Sequence, residues 1–539
     1  MRRAIRASAA SAVVLSALLA PRVAHATGVM EFPDNGSEQE GRGGAWVARA
    51  SDPLATFYNP AGLAGQQTRL TLQANISTQS TCFTRVKAAN DTTIDPVSSG
   101  GTYPKVCNNG SFFPDPQLAF TYRLTDRIGL GIAILGPSAV GNVSWPDFQN
   151  GQPSPQRYLL ISSNVVLLTP TIGVGWEPID NLRVGASFIA GTAPTIDFIS
   201  SAQALAEPGN GMPNTGPNPG TQDIRSELKA HDYFIPGFTL GAIYSPLPNL
   251  DVSAWYKWMG NVSGTGDVIT QSFFYENPRT DPIQYGDTSQ KYCYTVPAGT
   301  APTNNGACGG GNNANVTVPL PMEAKLGVRF HQPRSGVEIK PHLRDPIAQD
   351  LFDVEADLTW ANDSAFNAVQ LRFTPGMPAN PGLPAAAIPS NADIPHQFSD
   401  VYGVRLGGDY NVLPDQLALR AGGFFESQAE NTTYQNIDFD GASRFGFALG
   451  GTYRFRIGDH PLDLMAGYGH VFFAQLSNTN PSAAGIHALS GEQCVGSATV
   501  QPNGYCSNGN QSFRTLWPVN LGTITSSIDV LNVGASFGF

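Results

Sequence analysis

Successive side chains of a β-strand point to opposite faces, so a half-buried strand reads as a two-residue alternation. That alternation recurs fourteen times along this chain. In 127–135, Ile128, Leu130, Ile132 and Ile134 share one face, and Gly129, Gly131 and Ala133 share the other. In 323–330, Ala324, Leu326, Val328 and Phe330 oppose Glu323, Lys325, Gly327 and Arg329. In 353–360, Val354, Ala356, Leu358 and Trp360 oppose Asp353, Glu355, Asp357 and Thr359. The other stretches lie near 69–76, 117–124, 163–176, 182–190, 238–244, 250–258, 402–410, 417–421, 444–455, 462–468 and 531–539.

Alternation alone does not say which face meets water. The connections decide it. Long ones near 77–116, 136–162, 191–234, 260–319, 375–397, 427–443 and 475–526 alternate with short turns such as "SPLPN" and "NVLPDQ". Only 331–350, on the short side, is longer than this rule predicts. Long outside, short inside and an even strand number predict an all-β, 14-stranded antiparallel transmembrane barrel, apolar outward and polar toward the lumen. Every even strand also ends on an outward aromatic before its short turn: Tyr122, Trp176, Tyr244, Phe330, Tyr410, Phe455 and Phe539. A ring of aromatics at one depth fits a membrane–water interface.

Composition agrees. Charged residues make up 14% of the chain, against about 25% in ordinary soluble domains. Arg2, Arg3 and Arg6, the apolar run 7–20 and Ala24-His25-Ala26 predict a signal peptide over 1–26. Removing its four arginines takes the net charge from −11 to −15, which argues against a nucleic-acid partner. The six cysteines of an exported chain predict disulfides, grouped by proximity as Cys82–Cys107, Cys293–Cys308 and Cys494–Cys506, each in a long connection. No His or Cys spacing suggests a metal, and no cofactor is expected.

Residues 534–538 read Gly-Ala-Ser-Phe-Gly and match the G-x-S-x-G nucleophile elbow. An elbow needs a following helix and a later His. Here one residue follows, so Ser536 reads as a small lumen-side residue of the last strand and no enzyme is expected.

Residues 27–66 precede the first strand and do not alternate, yet "FYNPAGLA" is too apolar for a loose tail. The stretch "ASDPLATFYNPAGLAG" at 50–65 resembles the amino-terminal hatch of the outer-membrane long-chain fatty acid transporter (FadL/TodX) family. "DRIGLGIAILGPSAVGNVSWP" resembles that family's third strand and following loop. "DVEADLTWANDSAFNAVQLRF" resembles its ninth strand, and "DVYGVRLGGDYNVLPDQLALRAGGFFES" its tenth and eleventh. The resemblance implies a monomeric barrel over 67–539 in the outer membrane of a Gram-negative bacterium, plugged by 27–66. It also implies uptake of long-chain fatty acids or other hydrophobic compounds, bound in the lumen and released sideways into outer-membrane lipid through a kinked third strand. By motif, the hatch residues are Asn59, Pro60, Ala61 and Gly62, and the kink lies at Gly136 and Pro137. Pro137 either disrupts pairing there or simply ends the strand. Arg183, Lys325, Arg329, Arg405 and Arg420 face the lumen, where they either meet a substrate carboxylate or pair with neighbouring acids. The alternative function is a general porin or surface barrel without fatty acid specificity.

Overall fold

The computed structural model describes residues 35–87, 101–136, 142–203, 223–271, 291–293, 314–336, 342–373, 391–479, 485–487 and 518–539. The expected signal peptide, Pro137, Cys308, Cys494, Cys506 and the side chain of Cys293 lie outside them.

Fourteen antiparallel strands close a barrel. They are β1 (Arg69–Arg85), β2 (Ser111–Arg123), β3 (Ile128–Ile134), β4 (Ser162–Leu168 with Thr171–Ile179), β5 (Leu182–Gln203), β6 (Asp223–Leu247) and β7 (Leu250–Met259 with Val262–Gln271). There follow β8 (Ala314–Val318 with Glu323–Pro333), β9 (Asp350–Ala361 with Ala368–Phe373), β10 (Asn391–Pro395 with Val401–Leu413), β11 (Leu417–Glu426), β12 (Arg444–Ile457), β13 (His460–Phe473) and β14 (Gly522–Gly538). The closing ladder runs from Arg69↔Gly538 to Arg85↔Gly522. This pairing of the first strand with the last closes the sheet on itself, which is the condition for crossing a membrane with strands.

The sign of the pattern is that of a membrane barrel. Leu72 and Ile172 are 59% exposed on the outer wall, whereas Glu355 and Asp357 are fully buried on the inner one. All seven girdle aromatics are exposed. Ser536 faces inward, its hydroxyl 2.6 Å from that of Thr71 on the neighbouring strand.

Farther from the short turns the sign reverses. Along the outer half of β7, Val262 and Val268 are buried and Ser263 is exposed; on β8, Val316 is buried and Asn315 exposed. Register shifts between Gly191, Ala193 and Ile196 in β5 accompany the switch. This corrects the sequence reading of 77–116, 191–234 and 260–319 as loops. Much of each is strand, because β1, β5, β6 and β7 continue past the lipid. Outside the membrane water lies on the outer face, so the apolar residues turn inward and the outward alternation that marks a membrane strand disappears.

The cap over this outer half is tied down covalently and by packing. Cys82 and Cys107 form a disulfide. Segment 427–443 folds inward: Ile437 packs in a cluster with Phe83, Trp145, Leu159 and Leu160, and Asp438 accepts from His396 at 3.0 Å. Within it Gly441 N donates to the buried Glu430 carboxyl at 3.2 Å. Burial first, then the Asp440 and Asp438 carboxylates, holds the Glu430 carboxyl well above the usual range. A carboxyl raised on folding contributes stability below its unfolded value and loses it as pH rises through the folded value. The 427–443 segment is therefore expected to become more susceptible to protease nicking as pH rises through that window. Glu430→Gln should flatten this dependence, and an equally flat profile in the parent chain would contradict it.

Candidate functional site

The segment expected as the hatch packs against the lumen wall. It contains helix α1 (Ser37–Gly41), helix α2 (Ala55–Tyr58) and a 3₁₀ turn, Pro60–Leu63. Asn59 is extended, as a residue before proline prefers, and its Oδ1 accepts from Ala61 N at 3.2 Å. Its Nδ2 donates to Val47 O at 2.7 Å, tying the turn to the preceding loop. Pro60 needs no hydrogen-bond donor at the first position of the turn. Asn59, Pro60, Ala61 and Gly62 are all buried. The structure thus brings the four motif residues into one turn.

The wall accommodates that turn with glycine. A Cβ on Gly185 would lie 2.5 Å from Pro60 O, and one on Gly175 2.6 Å from Ala64 N. Gly129 of β3 and Gly241 of β6 lie similarly close to Leu63 and Asn59. The small residues that sequence analysis placed opposite the apolar face are the seat of the inner segment.

Charge supplies the second attachment. Arg42 Nη1 lies 2.6 Å from Asp353 and 2.7 Å from Asp409, and its Nη2 3.3 Å from Glu355. Arg49 reaches Asp353 at 2.5 Å and Asp409 at 3.1 Å. The backbone N–H groups of Trp46 and Ala48 donate to Asp357 and Glu355, at 2.9 and 2.6 Å. The acidic face of β9 is therefore a socket for residues 42–49. Sequence reading missed Arg42 and Arg49 as its counter-ions. The available signal was three acids on one strand face, which need cations from elsewhere.

Of the lumen candidates, Arg183, Arg329 and Arg420 join this network, while Arg405 and Lys325 have other partners. Arg329 contacts Asp251, Asp350 and Asp353 at 3.2, 2.5 and 2.8 Å. Arg183 lies 3.6 Å from Asp251, Arg405 3.1 Å from Glu426, and Arg420 3.3 Å from Asp409. Lys325 Nζ lies over the Tyr58 and Trp255 rings, 5.4 and 5.3 Å from their centroids, in cation–π geometry.

On the other side of the inner segment the lumen is apolar. Trp46, Leu54, Phe57 and Leu63 belong to one cluster with Ile189, Ile235, Met259, Val316, Phe366 and Phe398. Phe366 stacks on Phe398, with centroids 5.3 Å apart. This packing is that of a hydrophobic interior, set against the charge-paired residues of β9 and β10.

The wall is irregular at β3. Its ladder with β2 ends at Leu118↔Ile134, while β2 runs on against β1 as far as Ser111↔Gln79. The β4 ladder ends at Ala133↔Thr171 and resumes at Asn142↔Asn164. Gly136 lies in this interval, and its carbonyl accepts from Asn35 Nδ2 of the inner segment. Asn35 Oδ1 in turn accepts from Gln117 of β2 at 3.1 Å.

Solved structures share this barrel fold. No curated protein matches the sequence. Among solved structures, a Pseudomonas aeruginosa FadL homologue aligns with a TM-score of 0.62 at 17% identity, covering 95% of this chain and 99% of that one. The P. putida toluene transporter TodX aligns with a TM-score of 0.53 at 15% identity, over 94% and 98% of the two chains. The Ralstonia pickettii toluene transporter TbuX gives 0.50 at 16%, over 94% and 98%. These likenesses are of fold. The model of the outer membrane protein transport protein family (OMPP1/FadL/TodX) matches residues 19–513. A fourteen-stranded barrel with an inverted polar lumen and a match over nearly the full length place the chain in that family, an outer-membrane transport protein.

Proposed function

We propose that the protein takes up hydrophobic compounds, long-chain fatty acids or aromatic hydrocarbons, by binding them in the lumen and releasing them sideways at β3. The observation that carries this reading is the reversal of wall polarity: above the inner segment the lumen presents Ile189, Met259, Val316, Phe366 and Phe398. Each CH₂ moved into such surroundings gains about 0.8 kcal/mol, so an acyl chain or aromatic ring partitions there and has little reason to leave into water. Two features support a lateral route. The β2–β3 ladder stops at Ile134, and residues 35–66 occupy the straight path, which also disfavours a general porin. The reading has the protein act as a monomer, with outer-membrane lipid receiving the compound.

The test replaces residues 136–141 with a regular alternating strand. Uptake of oleate and of toluene into liposomes should fall, while heat-modifiable gel migration stays that of an assembled barrel. Undiminished uptake of both compounds by an assembled variant would remove the lateral route. Oleate and toluene are compared because the charged carboxylate of one and the bare ring of the other place different demands on those charge-paired residues.

A further inference from the structure

The connection between β8 and β9 does not behave as a turn. Of its described residues, 334–336 and 342–349, the second group touches opposite walls of the barrel. At one end His342 Nδ1 lies 3.1 Å from Glu177 Oε2 on β4. At the other, Asp345 pairs with Arg454 of β12 at 2.7 Å. Asn411 of β10 donates to Pro346 O at 2.8 Å, and Asp415 N donates to Ile347 O at 3.2 Å. β4 and β12 are eight strands apart by one path round the barrel and six by the other. A segment bonded to both must cross the mouth on the short-turn side.

As it crosses, it engages the inner segment. Arg344 N donates to Gly65 O at 2.9 Å. Gly65 has φ +92°, where side chains are disfavoured, and a Cβ there would lie 2.9 Å from His342 O. Between this strap and the inner segment lies a small polar cleft lined by residues such as Arg49, Arg69, Gln67, Asp345, Arg454 and Asp463. The strap therefore lies across the aqueous space that a solute would traverse after passing the hatch.

We propose that residues 342–349 are a specificity-determining strap: they pin the carboxyl end of the hatch and close the watery route to the periplasm, so that polar solutes are excluded. The inference rests on the hydrophobic-uptake reading for its physiological sense, but its readouts are separate. A compound that stays in an apolar phase can bypass the strap through the wall; a sugar cannot. Three backbone-directed hydrogen bonds and the partly buried Arg454–Asp345 pair hold it. Removing these contacts frees the hatch end.

The experiment replaces 342–349 by a Gly/Ser segment of equal length. Sucrose entry into liposomes and maleimide labelling of a Gln67→Cys reporter should each rise roughly ten-fold, the change that about 1.4 kcal/mol of lost restraint gives. Asp345→Asn and Asn411→Ser, which keep the chain length, should raise both by smaller factors and carry the test if the replacement does not assemble. Sucrose entry and labelling at the parent level in these assembled variants would overturn the proposal. Oleate and toluene uptake should stay unchanged throughout. If the parent transported neither compound while the strap variants still admitted sucrose, the uptake reading would fall and the strap would stand.

Discussion

Arg42→Ala is expected to release the inner segment from its socket. The guanidinium is wholly buried and faces Asp353, Asp409 and Glu355. Its removal leaves three carboxylates sharing Arg49, Arg329 and Arg420. Breaking a buried pair by deleting one partner costs on the order of 3–5 kcal/mol, because the remaining charge is left uncompensated in a poorly solvated site. The strands do not depend on Arg42, so the barrel should still assemble and show heat-modifiable migration. The loss should appear as ion conductance through planar bilayers and as earlier denaturant release of residues 35–66. Arg42→Lys should recover little, since a single ammonium cannot reproduce the fork that reaches three acids. Parent-level conductance and release in Arg42→Ala would show that the charge cluster does not hold the segment.

Gly185→Val tests the other attachment by steric means. A Cβ at Gly185 would lie 2.5 Å from the Pro60 carbonyl oxygen. That neighbour is backbone of a 3₁₀ turn and cannot rotate away. Overpacking of this kind costs about 1–3 kcal/mol where the surroundings can give, and more is expected here because valine adds two further methyls toward the same turn. The inner segment should be unseated, with hydrophobic uptake reduced and conductance raised. Gly260→Ala is the control, because a Cβ there meets nothing nearer than 3.5 Å. If the two variants behave alike, the glycine seat has no role in placing the turn.

The sequence made the lipid-facing half of the barrel legible because lipid imposes a rule on every strand it touches. Leu72, Ile132, Leu326 and Leu449 must face outward there, and all are exposed. Past the lipid the rule lapses. Val262, Val268 and Val316 turn inward, and the alternation reads as that of any soluble sheet, so 260–319 looked like loop. The hatch motif was legible as a turn, since Asn59 and Pro60 carry local instructions. Its partners were not. Gly185 and Gly175 become meaningful only when the chain folds back against them, and the contacts between Arg42 and Asp353 span 311 residues. The same distance in sequence hid the crossing made by 342–349. Its excess length was visible, but length alone does not say where a segment goes.

The closing ladder has a consequence for assembly order. It pairs residues 69–85 with 522–538, so the wall is completed only when the two ends of the strand array meet. Contacts so distant in sequence make for slow folding. Residues 35–66 lie immediately before the first of those strands, and their seat is distributed over β3–β6, β9 and β10. A compact segment cannot be threaded into a finished cylinder whose floor is crossed by a strap. The expected order is that it is enclosed as the sheet curls, with the socket on β9 and the glycines on β4 and β5 gathering round it. On that order the inner segment serves the barrel as a mandrel would, and a chain lacking residues 35–66 is expected to close more slowly into vesicles than the intact one, even where the finished strands are identical.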